Sequence, residues 1–443
     1  MNKYMYIFNK EMDVLEKTVT ILFLLIPFAL CISILVAEIF SSLIALIFIF
    51  WCFNKKNFFT NYIDIKIPIL IILFFFFNII ITLVMSNDFN KSFLPSFFYF
   101  RFLFLSLGIF YILKIYKVSL KLLLISLLTL FTLILLDSFY EILQINNLFG
   151  LSIEKNRIDS GTHFHLTSFF GDEKKLGSFL IRLLPLTLSL MIFLNFKILK
   201  IKNLENYIII FSGILIFLST ERTAMFFYLI LLILLWKMLE KKIFIFSYIV
   251  ILITIIGLLQ PKIVQKHVNA TLSQLGLTKY NEAINKDNKL NFSKINYLSK
   301  EHEQLIRSGY EIFKENPLTG SGIKTYHETC KEIKKRKSLD IKCSTHPHNT
   351  YIQILSDTGI FAAAITFFIF SYIFMQNFKL FFKSNLSKNL KSLYILNLGI
   401  MINLMPLVPS GSFYNNWINL MIYFPICFWF YLISQIKLKK QNI

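Results

Sequence analysis

The chain has 443 residues, of which 56% are hydrophobic and 50 are phenylalanine, and its mean hydropathy is +0.63. Many unbroken apolar runs approach the roughly 20 residues that a helix needs to cross a bilayer, which excludes a soluble enzyme and a β-barrel of alternating strands. The formal net charge of +21 would suit nucleic acid, but the lysines lie mainly in short loops and no basic and aromatic groove motif accompanies them. The sequence therefore predicts an all-α, polytopic membrane protein with no nucleic-acid partner.

The apolar runs predict about 12 transmembrane helices. The N-terminal segment, Met1–Lys17, carries three lysines and no recognisable secretory cleavage site, so we expect the N-terminus in the cytoplasm. An even number of spans returns the C-terminus to the same side. The predicted runs are 18–36, 39–53, 67–85, 93–113, 119–142, 176–195, 206–220, 223–239, 243–260, 349–375, 392–408 and 416–435.

The distribution of lysine tests this topology. Loops placed inside hold pairs or triplets of lysine, such as Lys55 and Lys56, whereas the short loops placed outside hold little beyond Lys91 and Arg222. Basic residues concentrate in cytoplasmic loops, so the asymmetry supports the assigned orientation.

The same pattern divides the chain into three parts. Residues 1–260 hold spans 1 to 9 with an outer loop near 144–175, residues 261–347 form a long outer loop between spans 9 and 10, and residues 348–443 hold spans 10 to 12 and a cytoplasmic tail. Long translocated loops are exempt from the charge rule, so the basic excess of the second loop is available for phosphate-bearing ligands. Cys330 and Cys343 lie in that loop and could close a disulfide in an oxidising compartment, but sequence does not show their geometry.

Two arginines stand next to predicted hydrocarbon. Arg222 follows a short turn at the outer membrane face, where its guanidinium suits a bidentate grip on a diphosphate; the alternative is a turn that leaves Glu221 and Arg222 in headgroup water. Arg182 lies inside a span and needs a partner or a cavity, although snorkelling explains it equally well. Asp137 and Glu141 share a helix face, and we expect a solvated helix end there.

The long loop contains an amphipathic stretch from Glu303 to Lys314 that predicts a helix ended by the turn residues 316–322. Such a helix can lie on the membrane surface with Arg307 toward the headgroups, and the alternative is a solvated arginine.

The sequence His346-Pro347-His348-Asn349 stands where this loop meets the next apolar run, with Tyr351 and Gln353 in the first turns of the helix. A histidine at a membrane face can act as a general base near neutral pH, so His348 is the candidate base and His346, Asn349 and Tyr351 are candidate substrate ligands with Arg182. Metal binding by the two histidines is disfavoured because no carboxylate cluster accompanies them. The imidazoles could also simply cap the span, and sequence does not decide which of them is the base.

These motifs together resemble a known family. His348-Asn349 followed by Gly359, the outer loop with Arg307 and Asn316-Pro317-Leu318-Thr319-Gly320-Ser321-Gly322, Glu221-Arg222-Thr223, the stretch 169–178, and the stretch 409–417 are similar to the O-antigen ligase and polymerase superfamily of bacterial inner membranes. Ala362 departs from the residue that the family often has three positions after its glycine. The resemblance covers the chain from about Arg157 onward.

The resemblance implies a type C glycosyltransferase-like fold and a role in lipopolysaccharide biosynthesis. A glycan carried on undecaprenyl diphosphate would move to an acceptor on the periplasmic side of the inner membrane, with no metal or other cofactor. The family's histidine maps to His348 and its arginines to Arg222 and Arg307. The partners expected are this lipid-linked donor, the lipid A core or a glycan as acceptor, and the bilayer.

Several functions fit these features. We favour an O-antigen ligase, which joins the glycan to the lipid A core, over an O-antigen polymerase or a protein O-oligosaccharyltransferase. A transporter of lipid-linked sugars would show internal repeats and polar residues at the bilayer midplane, and neither is evident in the sequence.

Overall fold

All regular elements in the described residues are helices. The computed structural model describes residues 12–144, 147–149, 166–171, 173–196, 204–236, 245, 248–249, 252, 300–406 and 408–441. The α-helices are α1 (Val14–Ile32), α2 (Ile34–Asn54), α3 (Lys66–Val84), α4 (Phe89–Phe97), α5 (Arg101–Ile115), α6 (Val118–Gln144), α7 (Leu176–Leu194), α8 (Leu204–Leu218), α9 (Arg222–Leu235), α10 (Lys300–Glu315), α11 (Tyr326–Lys337), α12 (Thr350–Phe382), α13 (Lys388–Asn403) and α14 (Asn416–Gln441). Short 3₁₀ segments are Phe58–Ile65, Phe98–Phe100 and Ser168–Phe170.

The helices confirm a polytopic membrane protein. Each predicted apolar run overlaps a helix, apart from the ninth, 243–260, which lies almost wholly outside the described residues, as do most of the loop 144–175 and residues 261–299. In the described part of the chain, 8 helical stretches are long and apolar enough to cross a membrane. The number of 12 spans, the three-part division and the side of each terminus stay predictions.

Three helices form the centre of the bundle. Most of α5, α7 and α14 is buried, and α7 packs on α13, α8 and α9. By contrast, α2, α3 and α12 expose many large apolar side chains, such as Phe53, Phe74 and Phe367. Apolar side chains that would aggregate in water are favourable against lipid, so the sequence can be hydrophobic on both faces of these helices.

One end of the bundle is tied by ion pairs. Lys55 Nζ lies 2.6 Å from the buried Glu16 Oε1, and Lys114 Nζ lies 3.3 Å from Asp64 Oδ2. Lys437 donates to the Asp64 backbone oxygen at 2.6 Å. These lysines belong to the set that the charge rule places inside, and the structure gathers them at the end of the bundle opposite to the histidines.

Helix α12 is broken at Gly359, and the outer loop fills the break. Gly359 has φ 77° and ψ −174°, which interrupts the helical hydrogen bonds. Ser321 N then donates to Ser356 O at 2.8 Å, Gly322 N to Asp357 O at 3.0 Å, and Ile360 N to Pro317 O at 2.9 Å. The turn 317–322 therefore docks directly on the backbone of α12.

The outer loop also has a small core of its own. Ile312, Tyr326, Ile333 and Ile341 are buried together, and Cys330 forms a disulfide with Cys343 across a Cα–Cα distance of 5.6 Å. The sequence did not decide whether these two cysteines pair, and the structure shows the disulfide. It holds the first half of α11 against the segment that leads to His346.

Asp137 and Glu141 are not at a solvated helix end, so that prediction was wrong. Their side chains are 0% and 1% exposed. Glu141 accepts hydrogen bonds from Thr167 N at 3.1 Å and Ser168 N at 2.6 Å, and Asp137 accepts from Leu148 N at 2.7 Å and from the Ser168 hydroxyl. A buried carboxylate is stable only when such donors replace its water, so these two side chains fix the segment 166–168 on α6.

We expect Glu141→Ala to destabilise the protein by roughly 2–4 kcal/mol, because it leaves two buried backbone N–H groups without their acceptor. Thermal unfolding in detergent measures the effect. Tyr140→Phe on the exposed side of the same helix is the matched control and should be nearly neutral. Equal stabilities for Glu141→Ala and the control would show that the carboxylate is not needed to hold the segment.

Candidate functional site

The two imidazoles of the motif lie side by side. The ring centroids of His346 and His348 are 4.0 Å apart. His348 has φ 54°, in the left-handed region, and its carbonyl accepts from Ser410 N at 2.9 Å. A non-glycine residue held in this region costs about 1–3 kcal/mol and persists where surrounding contacts enforce it. Here the enforcing contacts come from the segment before α14.

Asn349 and Tyr351 hold the start of α12. Asn349 is the N-cap: its Oδ1 accepts from the backbone N–H groups of Tyr351 and Ile352, each at 3.1 Å, and its Nδ2 donates to Pro406 O at 2.8 Å. The Tyr351 hydroxyl donates to Leu404 O at 3.0 Å. Both predicted substrate ligands therefore make structural bonds that position His348.

Arg182 reaches the same segment from the bundle centre. Its Nε donates to Asn403 Oδ1 at 2.8 Å, next to the residue that Tyr351 contacts, and one terminal nitrogen donates to Ser178 O at 3.0 Å. Its guanidinium lies 6.0 Å from the ring centre of Trp417, and Lys175 Nζ lies 5.7 Å from the same centre. The structure thus brings Arg182 to the end of the bundle that holds the histidines. Its charge has partners there, which a lone snorkelling arginine would lack.

Arg222 begins α9 beside the start of α7. The preceding Thr220 has φ 57°, and Glu221 accepts from Gly177 N at 2.6 Å and Ser178 N at 3.0 Å, which caps α7. Burial raises the pKa of Glu221, and these N–H donors and Arg182 oppose the rise. Glu221 is therefore engaged by α7, not left in headgroup water, and Arg222 stands at the same outer end as Arg182.

Helix α10 is confirmed, but it does not turn Arg307 toward the imidazoles. Gly309 packs on Ile352 and Pro347, where an added Cβ would lie 3.3 Å from Pro347 Cβ. Arg307 is exposed and two residues away, which is roughly 200° around a helix. The residue of α10 that approaches the site is His302, with its ring centre 6.4 Å from that of His348.

Burial and neighbouring positive charge lower the pKa of both imidazoles, and a backbone hydrogen bond with Ser410 opposes this. Burial, followed by the charge of His348, lowers the pKa of His346 to about 4, and its Nε2 is buried with no hydrogen-bond partner among the described residues. Burial, followed by the charge of His302, also lowers the pKa of His348. A neutral imidazole has a free lone pair, which is what a proton acceptor needs.

Within 12–144, 166–236 and 300–441, gaps excepted, no group of three or more His, Cys, Asp or Glu side chains is arranged to hold a metal ion.

Sequence reasoning missed three contributors to this site. His302 was passed over because Arg307 is the more obvious functional residue type on the same helix. Glu221 entered only as part of a turn that could leave it in headgroup water, and its contact with the N-terminus of α7 depends on tertiary packing that the sequence does not show. Ser410 carries no chemical signal, because it acts through its backbone N–H.

The fold and the site define a polytopic helical membrane protein with a polar, histidine- and arginine-bearing site at one end of the bundle. Residues 207–367 match the family model described as O-antigen ligase. This match includes Arg222, His302, Arg307 and the histidine motif, and it confirms the resemblance to the O-antigen ligase and polymerase superfamily. It supports glycan transfer of the ligase or polymerase type and a membrane setting with lipid-linked glycan substrates. No curated protein matches the chain significantly.

We expect Gly359→Ala to unfold the site, because the left-handed φ and the direct approach of the Leu318 carbonyl leave no room for a Cβ. The loss should be at least about 2 kcal/mol in thermal unfolding. Gly411→Ala is the control, since its Cβ would meet only the end of the Ile418 side chain at 2.9 Å. A Gly359→Ala protein as stable as the control would mean that the break in α12 is not required.

Proposed function

We propose that this protein is an O-antigen ligase of the bacterial inner membrane. It transfers a glycan from undecaprenyl diphosphate to the lipid A core on the periplasmic face without a metal ion. His348 is the general base, and Arg222 and Arg307 stabilise the diphosphate. The observation that carries the proposal is the pair of adjacent imidazoles of His346 and His348, which lies inside the region that matches the ligase family.

The chemistry needs few groups. The acceptor hydroxyl attacks the anomeric carbon, the bond from that carbon to the diphosphate oxygen breaks, and the hydroxyl proton passes to the imidazole. A single displacement inverts the anomeric centre. No side-chain nucleophile is needed, and the negative charge that grows on the diphosphate is the part of the transition state that the protein must stabilise.

Guanidinium groups suit that task, because they donate paired hydrogen bonds to phosphate oxygens and remain charged when partly buried. Arg182 and Arg222 support the proposal by their common position at the start of α7 and α9. Arg307 is exposed on the face of α10 that points away from Pro347, so its proposed role requires the diphosphate to reach that exposed face.

A place for a lipid tail exists between the membrane helices. A cavity of about 480 Å³ between α3, α12, α13 and α14 is lined almost wholly by apolar side chains, among them Ile72, Phe368 and Ile426. It reaches Phe413, whose backbone N–H donates to Gln353 Oε1 of α12 at 2.7 Å. An apolar cavity of this kind suits a donor with a long hydrocarbon chain.

The alternatives differ in the acceptor. An O-antigen polymerase would use a second lipid-linked repeat unit, and a protein O-oligosaccharyltransferase would use a hydroxyl of a protein, both with the same donor and base. A transporter needs no general base, so the transporter alternative gives the paired imidazoles no role.

We expect the purified protein in liposomes with EDTA to transfer glycan from the lipid diphosphate to lipid A core. Arg222→Ala should lower the rate by about 10²–10³, since it removes charge stabilisation of the leaving group. Gel mobility of the core and of the carrier-linked glycan measures the products. Lengthened carrier-linked glycan in place of core-linked glycan would make the protein a polymerase, and no transfer by folded protein would favour a transporter.

We expect His348→Ala to lower the transfer rate by about 10²–10⁴, the usual contribution of a positioned base, and His346→Ala to retain most of it. Single-turnover transfer with saturating donor compares the two variants, and thermal unfolding confirms that each is folded. The reverse order of activities would assign the base to His346, whose buried Nε2 is the competing candidate.

A further inference from the structure

His302 belongs to the imidazole site although nothing in its sequence surroundings marks it. We propose that His302 is a positioning residue for the base: its ring packs edge-on to His348 and holds that imidazole in place and uncharged. The proposal deepens the proposed function and rests on it, since it concerns the same base.

The contact follows from the packing of α10. Gly309 lies against Pro347 and Ile352, and His302 precedes it by seven residues, which is nearly two full helical turns and returns to the same face. The rings of His302 and His348 meet at an angle of 67° with centres 6.4 Å apart. The ring centre of His346 also lies 4.0 Å from that of His348. His348 thus has two imidazole neighbours.

The charges around His348 are few. From α10 it faces His302, from its own segment His346, and from the preceding segment Lys342, whose charge is shared with Glu301 at 2.9 Å. From the segment before α14 it meets the backbone of Ser410. No carboxylate of the described residues forms an ion pair with His348, so each neighbouring positive charge disfavours a proton on it.

The consequence is a base that stays free of protons below neutral pH. A proton on His302 repels a proton on His348, so the pKa of His348 lies lower than it would without that neighbour. Activity that requires neutral His348 then extends further into the acidic range. Removal of His302 must therefore move the acidic limb of the pH–rate profile to higher pH. A permanent positive charge at position 302 must not move the limb to higher pH.

The experiment uses the full-length protein in liposomes and records the pH–rate profile of glycan transfer. His302→Gln should shift the acidic limb to higher pH, with a loss of about threefold on that limb relative to the plateau. His302→Lys should keep the limb at or below its wild-type position. Lys314→Gln, which removes a charge from the exposed face of α10, is the control and should leave the profile unchanged.

A second readout does not depend on the donor. In protein labelled at its 7 histidines, the ring resonance of His348, identified by its absence in His348→Gln, is titrated by NMR. It should titrate at higher pH in His302→Gln than in wild type. An unchanged titration of His348 in folded His302→Gln overturns the inference.

The two readouts separate the possible failures. Wild-type protein that transfers no glycan while its His348 resonance still responds to His302 would refute the proposed function and leave the contact standing. Transfer by wild type with a limb that is the same in His302→Gln and His302→Lys would refute this inference alone. If His302→Gln does not fold, the pH–rate profiles of His302→Lys and Lys314→Gln are compared instead. The contact predicts that the acidic limb lies at lower pH in His302→Lys, because this variant carries a fixed positive charge beside His348.

Discussion

The site depends on the break of α12 at Gly359. A helix interrupted in this way leaves carbonyl and N–H groups that lipid cannot satisfy, and each unsatisfied group would cost several kcal/mol. The turn 317–322 supplies the missing partners through Pro317, Ser321 and Gly322. The outer loop is therefore bound to the membrane helix by backbone hydrogen bonds, and α10, α11 and the histidine motif take their positions from that attachment.

The second constraint is the cost of charge next to lipid. Arg182 is acceptable because Asn403, Ser178 and the face of Trp417 replace its water, and Glu221 is acceptable because it caps α7. The imidazoles solve the same problem differently, by remaining neutral. The side chains that carry a fixed charge thus have hydrogen-bond partners, and the side chain that must accept a proton is kept uncharged. This division suits the transfer from a diphosphate that we propose for the protein.

Much of the fold follows from the sequence by local rules. The length and hydropathy of the apolar runs predict the helices, the charge rule separates the two ends, and the amphipathic stretch from Glu303 predicts α10. The structure brings Arg182, Arg222 and the two histidines to the same end of the bundle, and their roles stay predictions. Arg307 and His302 could not be told apart by composition, since only the face of α10 that packs on Pro347 decides between them. Asp137 and Glu141 were misread for the same reason: their donors come from residues 147–168, far along the chain.

By itself, the sequence determined that the chain is a helical membrane protein and that its histidine motif stands where a polar segment meets an apolar run, because these properties depend on runs of neighbouring residues. The tertiary structure alone decided that Gly359 receives the outer loop, that Cys330 pairs with Cys343, and that His302 approaches His348. Each of these depends on which backbone faces meet across long sequence separations. The physical reason is that hydropathy and charge determine how deep in the bilayer a residue lies. A site is instead defined by contacts between distant segments, and the sequence does not show which segments meet.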